Sequence, residues 1–434
     1  MDKNQPFSRN IIPALLILGV IIRVFIFIVM APSNPDGHYE IIEHILKFKE
    51  IPRSDAYGMA FHPPLYYLLS VPFWWVGGLK CVQLFSLLLS TGTLIVIYFF
   101  VKQYKGFTQN TKVLVMAIAS FLPSLVTYTL YVSNDSLAIF LGAVYFYAAL
   151  SFAEGIDYKK VSLLSVILGL GLLAKGTFLV FFVFTLGFVF FYPAPLQKRI
   201  QYFLLVLLIS LPIGSYKYIQ NYLDFGAPFI HNLDFNPGWL KFQRPTILGI
   251  KSFLDVNLLK LIKTPCLSKS IRHSVPLLFY SSFWYKQHYL VNNLATIHTQ
   301  FRFIGSVIYI VGVFPTLFIL YGVLGCISYS VINFFKEGTR TDVTLLLKWL
   351  TLLVFFLVIY LGAKYDAWSA FHARLIYPAF IGILLLMNDG CIALTKFIPE
   401  KWLTSFTVAL IIVFIFYYAI EVPLTFMMSG FSTG

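Results

Sequence analysis

The chain has 434 residues, 59% of them hydrophobic and only 12% charged, with a mean hydropathy of +0.81. A water-soluble fold of this size has no interior large enough to hide that much apolar surface, so lipid is the solvent for most of it. The formal charge of +14 is spread over many loops, which argues against a nucleic-acid-binding domain and suits membrane topology and an anionic lipid ligand.

Apolar runs of roughly 17 to 25 residues recur along the chain, and only helices or closed barrels satisfy their backbone in hydrocarbon. The runs lack two-residue alternation, so the expected fold is an all-α polytopic membrane protein. In chain order the spans are expected near 11–30, 81–101, 112–132, 135–153, 160–174, 176–192, 200–218, 303–334, 343–363, 374–390 and 402–420, about eleven in all. The first is too long for a signal-peptide core and lacks a small-x-small cleavage site, so it reads as a retained span. Cys81, Cys326 and Cys391 lie in or beside spans and Cys266 in an aqueous loop; no disulfide and no cysteine metal site is expected.

Residues 62–78 are short, proline-broken and rich in Trp and Tyr, which suits the membrane interface better than a crossing. With that choice every other loop must be cytoplasmic. Those loops carry Lys3 and Arg9; Lys102, Lys105 and Lys112; Lys159 and Lys160; Lys198 and Arg199; Lys336, Arg340 and Lys348; Lys396 and Lys401. The distribution obeys the positive-inside rule and puts the N-terminus in the cytoplasm.

The two long loops, residues 31–80 and 219–302, then share the extracytoplasmic side of one membrane domain spanning 1–434. In the first, Ile41, Ile45 and Phe48 form an apolar stripe opposite Glu40, Glu43, Lys47 and Glu50, the pattern of a helix lying on the membrane surface. No internal repeat or low-complexity tract is visible.

The same topology collects several polar residues on that side. Asp36, in Asn34-Pro35-Asp36-Gly37-His38, follows the first span, where partial desolvation suits a general base; it is equally placed to cap the next helix. Asp135, in Ser133-Asn134-Asp135-Ser136, is a second carboxylate facing the same region or simply part of a turn. Lys175, in Ala174-Lys175-Gly176-Thr177, suits a phosphate, or snorkels. The turn before Pro378 holds Lys364, Asp366, His372, Arg374 and Tyr377. Arg374 can grip a phosphate bidentately, with Asp366 as the partner that holds it or as a purely structural pair. His62, before Pro63-Pro64, can meet a ligand phosphate or metal, or bond its own loop. Arg23, within the first span, should face the bundle interior, with a structural salt bridge as the plain explanation.

No phosphate-binding glycine loop, paired-histidine zinc motif or nucleophile elbow is present, which disfavours nucleotide-driven and zinc-hydrolase chemistry.

The succession Pro35-Asp36-Gly37-His38-Tyr39, His62-Pro63-Pro64-Leu65-Tyr66-Tyr67, Ser133-Asn134-Asp135, Ala174-Lys175-Gly176-Thr177 and Arg374-Leu375-Ile376-Tyr377-Pro378 resembles the GT-C membrane glycosyltransferases. It is similar above all to the branch of protein O-mannosyltransferases and lipid A aminoarabinose transferases, from residue 1 to about 390. The resemblance implies two surface helices in the first external loop and transfer of a sugar from a polyprenyl-phosphate donor to a lipid, glycan or protein acceptor outside the cytoplasm.

It also implies Asp36 and Asp135 as the catalytic carboxylates, and Lys175, Arg374 and Tyr377 at the donor phosphate. His38, Glu40 and His62 are the substrate-contacting candidates. Many relatives carry Asp-Glu after the first span, whereas Gly37 follows Asp36 here, leaving Glu40 as the available second carboxylate. A divalent metal is an open possibility, with Asp36, His38 and Asp135 as candidate ligands. The competing functions are a transporter or flippase of a lipid-linked sugar, which calls for ionisable positions near the bilayer midplane, and a scaffold subunit with no acid-base set.

Overall fold

The computed structural model describes residues 5–29, 31–32, 36–235, 249–263, 265, 269–285, 295–334, 342–397 and 399–423. Cys266, Asn34, Pro35 and the basic loop residues Lys3, Lys336 and Arg340 lie outside them, as does part of the 219–302 loop. Among the described residues all regular structure is helical, as the absence of alternation predicts. Eight helices are long and apolar enough to cross a membrane, and nine if the bent pair Gln109–Phe121 and Pro123–Leu130 is one span. The chain is an integral, multi-pass membrane protein.

Two of the eleven expected spans fall short. α7, Tyr158–Ala174, and α8, Phe178–Phe191, have 17 and 14 residues, or about 26 and 21 Å at 1.5 Å per residue, against a hydrocarbon core of about 30 Å. The cause is the break between them: Lys175 adopts an extended conformation (φ −160°, ψ 140°), and both helices stop there.

The remaining elements follow from local signals. α1 is Gln5–Val29, α2 is His38–Phe48 and α3 is Leu65–Gln103. α3 is interrupted at Gly77 and Gly78, where Gly78 takes φ 60° and ψ −149°, a region essentially restricted to glycine. The break separates a helix over 65–76 from the spanning stretch 79–103, as the reading of 62–78 as a distinct segment anticipates. α2 buries His38, Ile41, Ile42 and Ile45, whereas Phe48, expected on the same stripe, is 52% exposed. α4, Gln109–Phe121, and α5, Pro123–Leu130, meet at a 43° bend, because Pro123 has no N–H to continue the helical ladder. α6 is Asn134–Leu150, α9 is Leu196–Gly214 and α10 is Tyr216–Phe225.

Arg23 shows how the bundle handles a buried cation. Its Nε donates to Ser90 Oγ (2.9 Å), Nη1 to the carbonyls of Gly19 (3.0 Å) and Ser120 (2.9 Å), and Nη2 to that of Ala119 (3.1 Å). The expected salt bridge is therefore replaced by hydroxyl and carbonyl acceptors from α3 and α4, which pin α1 to both.

Close approach of backbones, characteristic of membrane helices, joins the later elements. A Cβ on Gly322 would collide with the Leu386 carbonyl, and one on Gly390 with that of Phe318, so Ala295–Phe334 lies directly on Phe380–Leu394. Gly142 of α6 sits in the same way against the Pro378 carbonyl.

Gly322→Leu should therefore cost about 1–3 kcal/mol through overpacking, seen as a lower midpoint of heat-induced aggregation in detergent. Gly325→Leu, where nothing lies within 4 Å of the added Cβ, should leave the midpoint near wild type. Equal effects would contradict the helix contact.

Candidate functional site

Asp36 does not serve as a helix cap. The residue before α2 is Gly37, held at φ 77° and ψ 24°, and no side chain caps that end. The left-handed glycine turns the chain sharply and leaves the Asp36 carboxylate for another partner. Its Oδ2 accepts from Arg374 Nη1 at 2.7 Å, with both side chains largely buried.

Asp135 is placed by the start of α6. Ser133, extended at φ −157°, caps the helix: its Oγ accepts from the Asp135 backbone N–H and donates to Asp135 Oδ2, both at 3.2 Å. The carboxylate sits in the first helical turn, where the helix dipole favours negative charge, and the residue is 4% exposed. Its other oxygen pairs with Lys175 Nζ. Lys175 is itself buried, at 5% exposure, so it does not snorkel; it ends α7 with its N–H on the Gly171 carbonyl. Asn134 Nδ2 donates to the Ala174 carbonyl at 3.4 Å and ties the two turns together.

Arg374 joins both carboxylates. Besides Asp36, its Nη1 lies 3.7 Å from Asp135 Oδ2. Asp366, its expected partner, instead ends the helix Val343–Tyr365 in a left-handed conformation (φ 49°), and Arg374 pairs with the two other carboxylates. The Arg374 turn, Ala373–Leu375, is anchored by donation from Ala373 N–H to Ser282 Oγ at 2.9 Å. Ser282 belongs to the helix Val275–Trp284, buried behind the turn. That helix, inside the 219–302 loop, is absent from the expected spans. Its signals are Ser274 as N-cap and a proline in the first turn, the usual marks of a helix start.

The other candidates surround this cluster differently. His38 is buried, with Nδ1 2.8 Å from the Tyr67 hydroxyl, and its ring stacks on His62 at 6.0 Å between centroids. Burial lowers the His38 pKa to about 4, outweighing the upward pull of Asp36 and Asp135. Burial, and then the positive charge of Lys175, hold His62 well below the usual imidazole range. Both rings are neutral near pH 7.

Glu40 folds back over Gly37, its Oε2 3.4 Å from where a Cβ on that glycine would stand, and forms no ion pair among the described residues. Tyr377 is fully buried, its hydroxyl 2.5 Å from Ser124 Oγ and donating to the Phe283 carbonyl at 3.1 Å. It is engaged with packing there, instead of with Lys175 or Arg374. Among the described residues no three His, Cys, Asp or Glu side chains converge as a metal site. Asp36, His38 and Asp135 do not converge as a three-ligand set among the described residues: Arg374 and Lys175 take the carboxylates, and Tyr67 meets His38 Nδ1.

A depressed histidine pKa has a definite sign. Between about 4 for folded His38 and roughly 6.5 for an unfolded histidine, the unfolded chain binds more protons, so stability rises with pH across that window and falls as it is acidified. The melting midpoint in detergent should drop from pH 6.5 towards pH 4, and His38→Gln, which retains a polar group for Tyr67, should flatten the slope. An unchanged slope in the variant would contradict the assignment.

The family model described as dolichyl-phosphate-mannose-protein mannosyltransferase matches residues 56–225. That segment holds His62, Asp135 and Lys175 and leaves Asp36 and Arg374 outside. No curated protein matches the sequence. Among solved structures, the chain aligns with ArnT from Cupriavidus metallidurans bound to undecaprenyl phosphate at 14% identity and a TM-score of 0.39, covering 91% of this chain and 80% of that one. The apo form of the same protein aligns at 14% identity and a TM-score of 0.38, covering 89% and 79%. Over residues 56–225 the chain thus matches a model from the glycosyltransferase branch that its motifs resemble.

Proposed function

We propose that the chain is an integral-membrane glycosyltransferase that moves a sugar from a polyprenyl-phosphate carrier to an acceptor on the extracytoplasmic side, with inversion at the anomeric carbon. One observation carries the reading. Two carboxylates and two cations, from four chain segments, meet at a single largely buried point: Asp36, Asp135, Lys175 and Arg374. Structural ion pairs need only two members. Four that converge where a turn, a helix start, a helix end and a single-turn helix meet form a preorganised electrostatic site. The family match over residues 56–225 supports the reaction class, and the distribution of Lys and Arg among the loops supports the side.

The chemistry divides naturally among the four. An acceptor hydroxyl is a weak nucleophile until its proton is removed. Asp36, the more exposed carboxylate, at 23% against 6% for the side chain of Asp135, is the base. The acceptor oxygen attacks the anomeric carbon, its proton passes to Asp36, and the carbon–oxygen bond to the carrier phosphate breaks with its electron pair on the phosphate. Lys175 and Arg374 receive that developing charge. Asp135, which touches both cations, holds them in place. For Asp36 to act, Arg374 must shift its hydrogen bond from the carboxylate to the phosphate, so arrival of the donor itself frees the base. Undecaprenyl phosphate, bound by the ArnT in one aligned structure, is a suitable carrier probe. Mannose is the first sugar to try, since the matched model is for mannosyl transfer.

Purified wild type and Asp36→Asn protein should be offered a panel of radiolabelled polyprenyl-phosphate sugars with lipid, glycan and peptide acceptors. Wild type should transfer from at least one donor, and the variant should lose about 10²-fold or more of that rate, the usual contribution of a general base. Equal turnover would overturn the assignment of Asp36. Absence of transfer by wild type from every donor would overturn the enzymatic reading in favour of carrier movement.

A further inference from the structure

Arg374 stands on a single-turn helix of three residues, Ala373–Leu375. Such turns hold their shape poorly alone, yet the guanidinium must reach Asp36 and Asp135 together. The neighbouring His372 is 3% exposed, and both of its ring nitrogens are in use. Nδ1 accepts from the Arg374 backbone N–H at 3.4 Å, capping the turn, and Nε2 lies 2.8 Å from the hydroxyl of Tyr128. A nitrogen that accepts an N–H carries no proton, so the proton is on Nε2 and is donated to Tyr128. Tyr128, from α5, is itself 1% exposed and meets the imidazole edge-on at 4.9 Å between centroids.

We propose that His372, as the neutral Nε2–H tautomer braced by Tyr128, is a positioning residue that aims Arg374 at the carrier phosphate. The inference rests on the reading of Arg374 as a phosphate-holding group. One ring reads the conformation of the turn through Nδ1 and fixes its height against α5 through Nε2. Ser282 secures the far side through the Ala373 N–H. Pinned from two elements, the arginine stem has little freedom to lose when phosphate binds, which is how preorganisation raises affinity.

The test is a double-mutant cycle read by binding of radiolabelled undecaprenyl phosphate to the full chain in detergent. Arg374→Ala should raise Kd by roughly 10-fold or more, and His372→Ala and Tyr128→Phe by several-fold. His372→Ala added to Arg374→Ala should cause no further loss, because the histidine acts only through the arginine. His372→Asn, whose Oδ1 can take the place of Nδ1 as acceptor, should recover most of the affinity, and it serves as the informative variant if His372→Ala fails to fold. Additive losses in the double variant, or wild-type binding by both His372 variants while Arg374→Ala is weak, would overturn the positioning role alone. Wild-type binding by Arg374→Ala would overturn the underlying reading of the site and the inference with it.

Discussion

Charges taken out of water must be neutralised by one another, and where Asp36, Asp135, Lys175 and Arg374 meet, that requirement organises the elements nearby. Burying a lone carboxylate or ammonium costs several kcal/mol even after relaxation, so neither Asp135 nor Lys175 is tolerable without the other. Asp36 and Arg374 complete a set of two negative and two positive groups. The elements around the cluster are shaped to deliver its members: the left-handed Gly37 releases Asp36, Ser133 seats Asp135, the early end of α7 presents Lys175, and a pinned turn presents Arg374. Arg23, elsewhere in the bundle, meets the same demand with carbonyl oxygens and a hydroxyl. That arrangement leaves no charge for a ligand to exchange with, whereas the ion-paired cluster can trade partners.

This difference connects stability to function. A set with two negative and two positive groups is stable by itself, and in the proposed mechanism each cation transfers a hydrogen bond from carboxylate to donor phosphate without leaving the cluster. The neutral imidazoles of His38 and His62 line the same region without adding charge. Protonation of either would disturb the balance, which is why burial that keeps them neutral belongs to the same design.

Much of this was legible in the chain itself, and the rest was hidden for identifiable reasons. Membrane class, helical character and the gathering of Asp36, Asp135, Lys175 and Arg374 on one side follow from hydropathy and from the placement of Lys and Arg in alternate loops, both local signals. Partner choice is not local. Arg374 meets a carboxylate 338 positions away, while Asp366, only eight positions before it, is turned aside by a left-handed helix end. The break at Lys175 between α7 and α8 was visible in the sequence, and α7 is two residues longer than the expected 160–174; only α8, Phe178–Phe191 against an expected 176–192, is shorter, because the extended Lys175 and the turn after it delay its start. The helix Val275–Trp284 was masked by lying in a long loop too short in apolar sequence to read as a span, although its cap and proline were visible. Tyr377 shares a motif with Arg374 but points into packing with Ser124 and Phe283, a direction that sequence spacing does not encode.

In the proposed mechanism, Asp36 and a lipid phosphate compete for the same guanidinium, that of Arg374. The direct measurement is the Kd of undecaprenyl phosphate for wild type and for Asp36→Asn protein at one pH and ionic strength. If the carboxylate must be displaced for phosphate to bind, removing its charge should tighten binding about 10-fold or more, on the order of the roughly 1.5–3 kcal/mol of a hydrogen bond to a charged group. Equal or weaker binding by Asp36→Asn would contradict the partner exchange on which the mechanism depends.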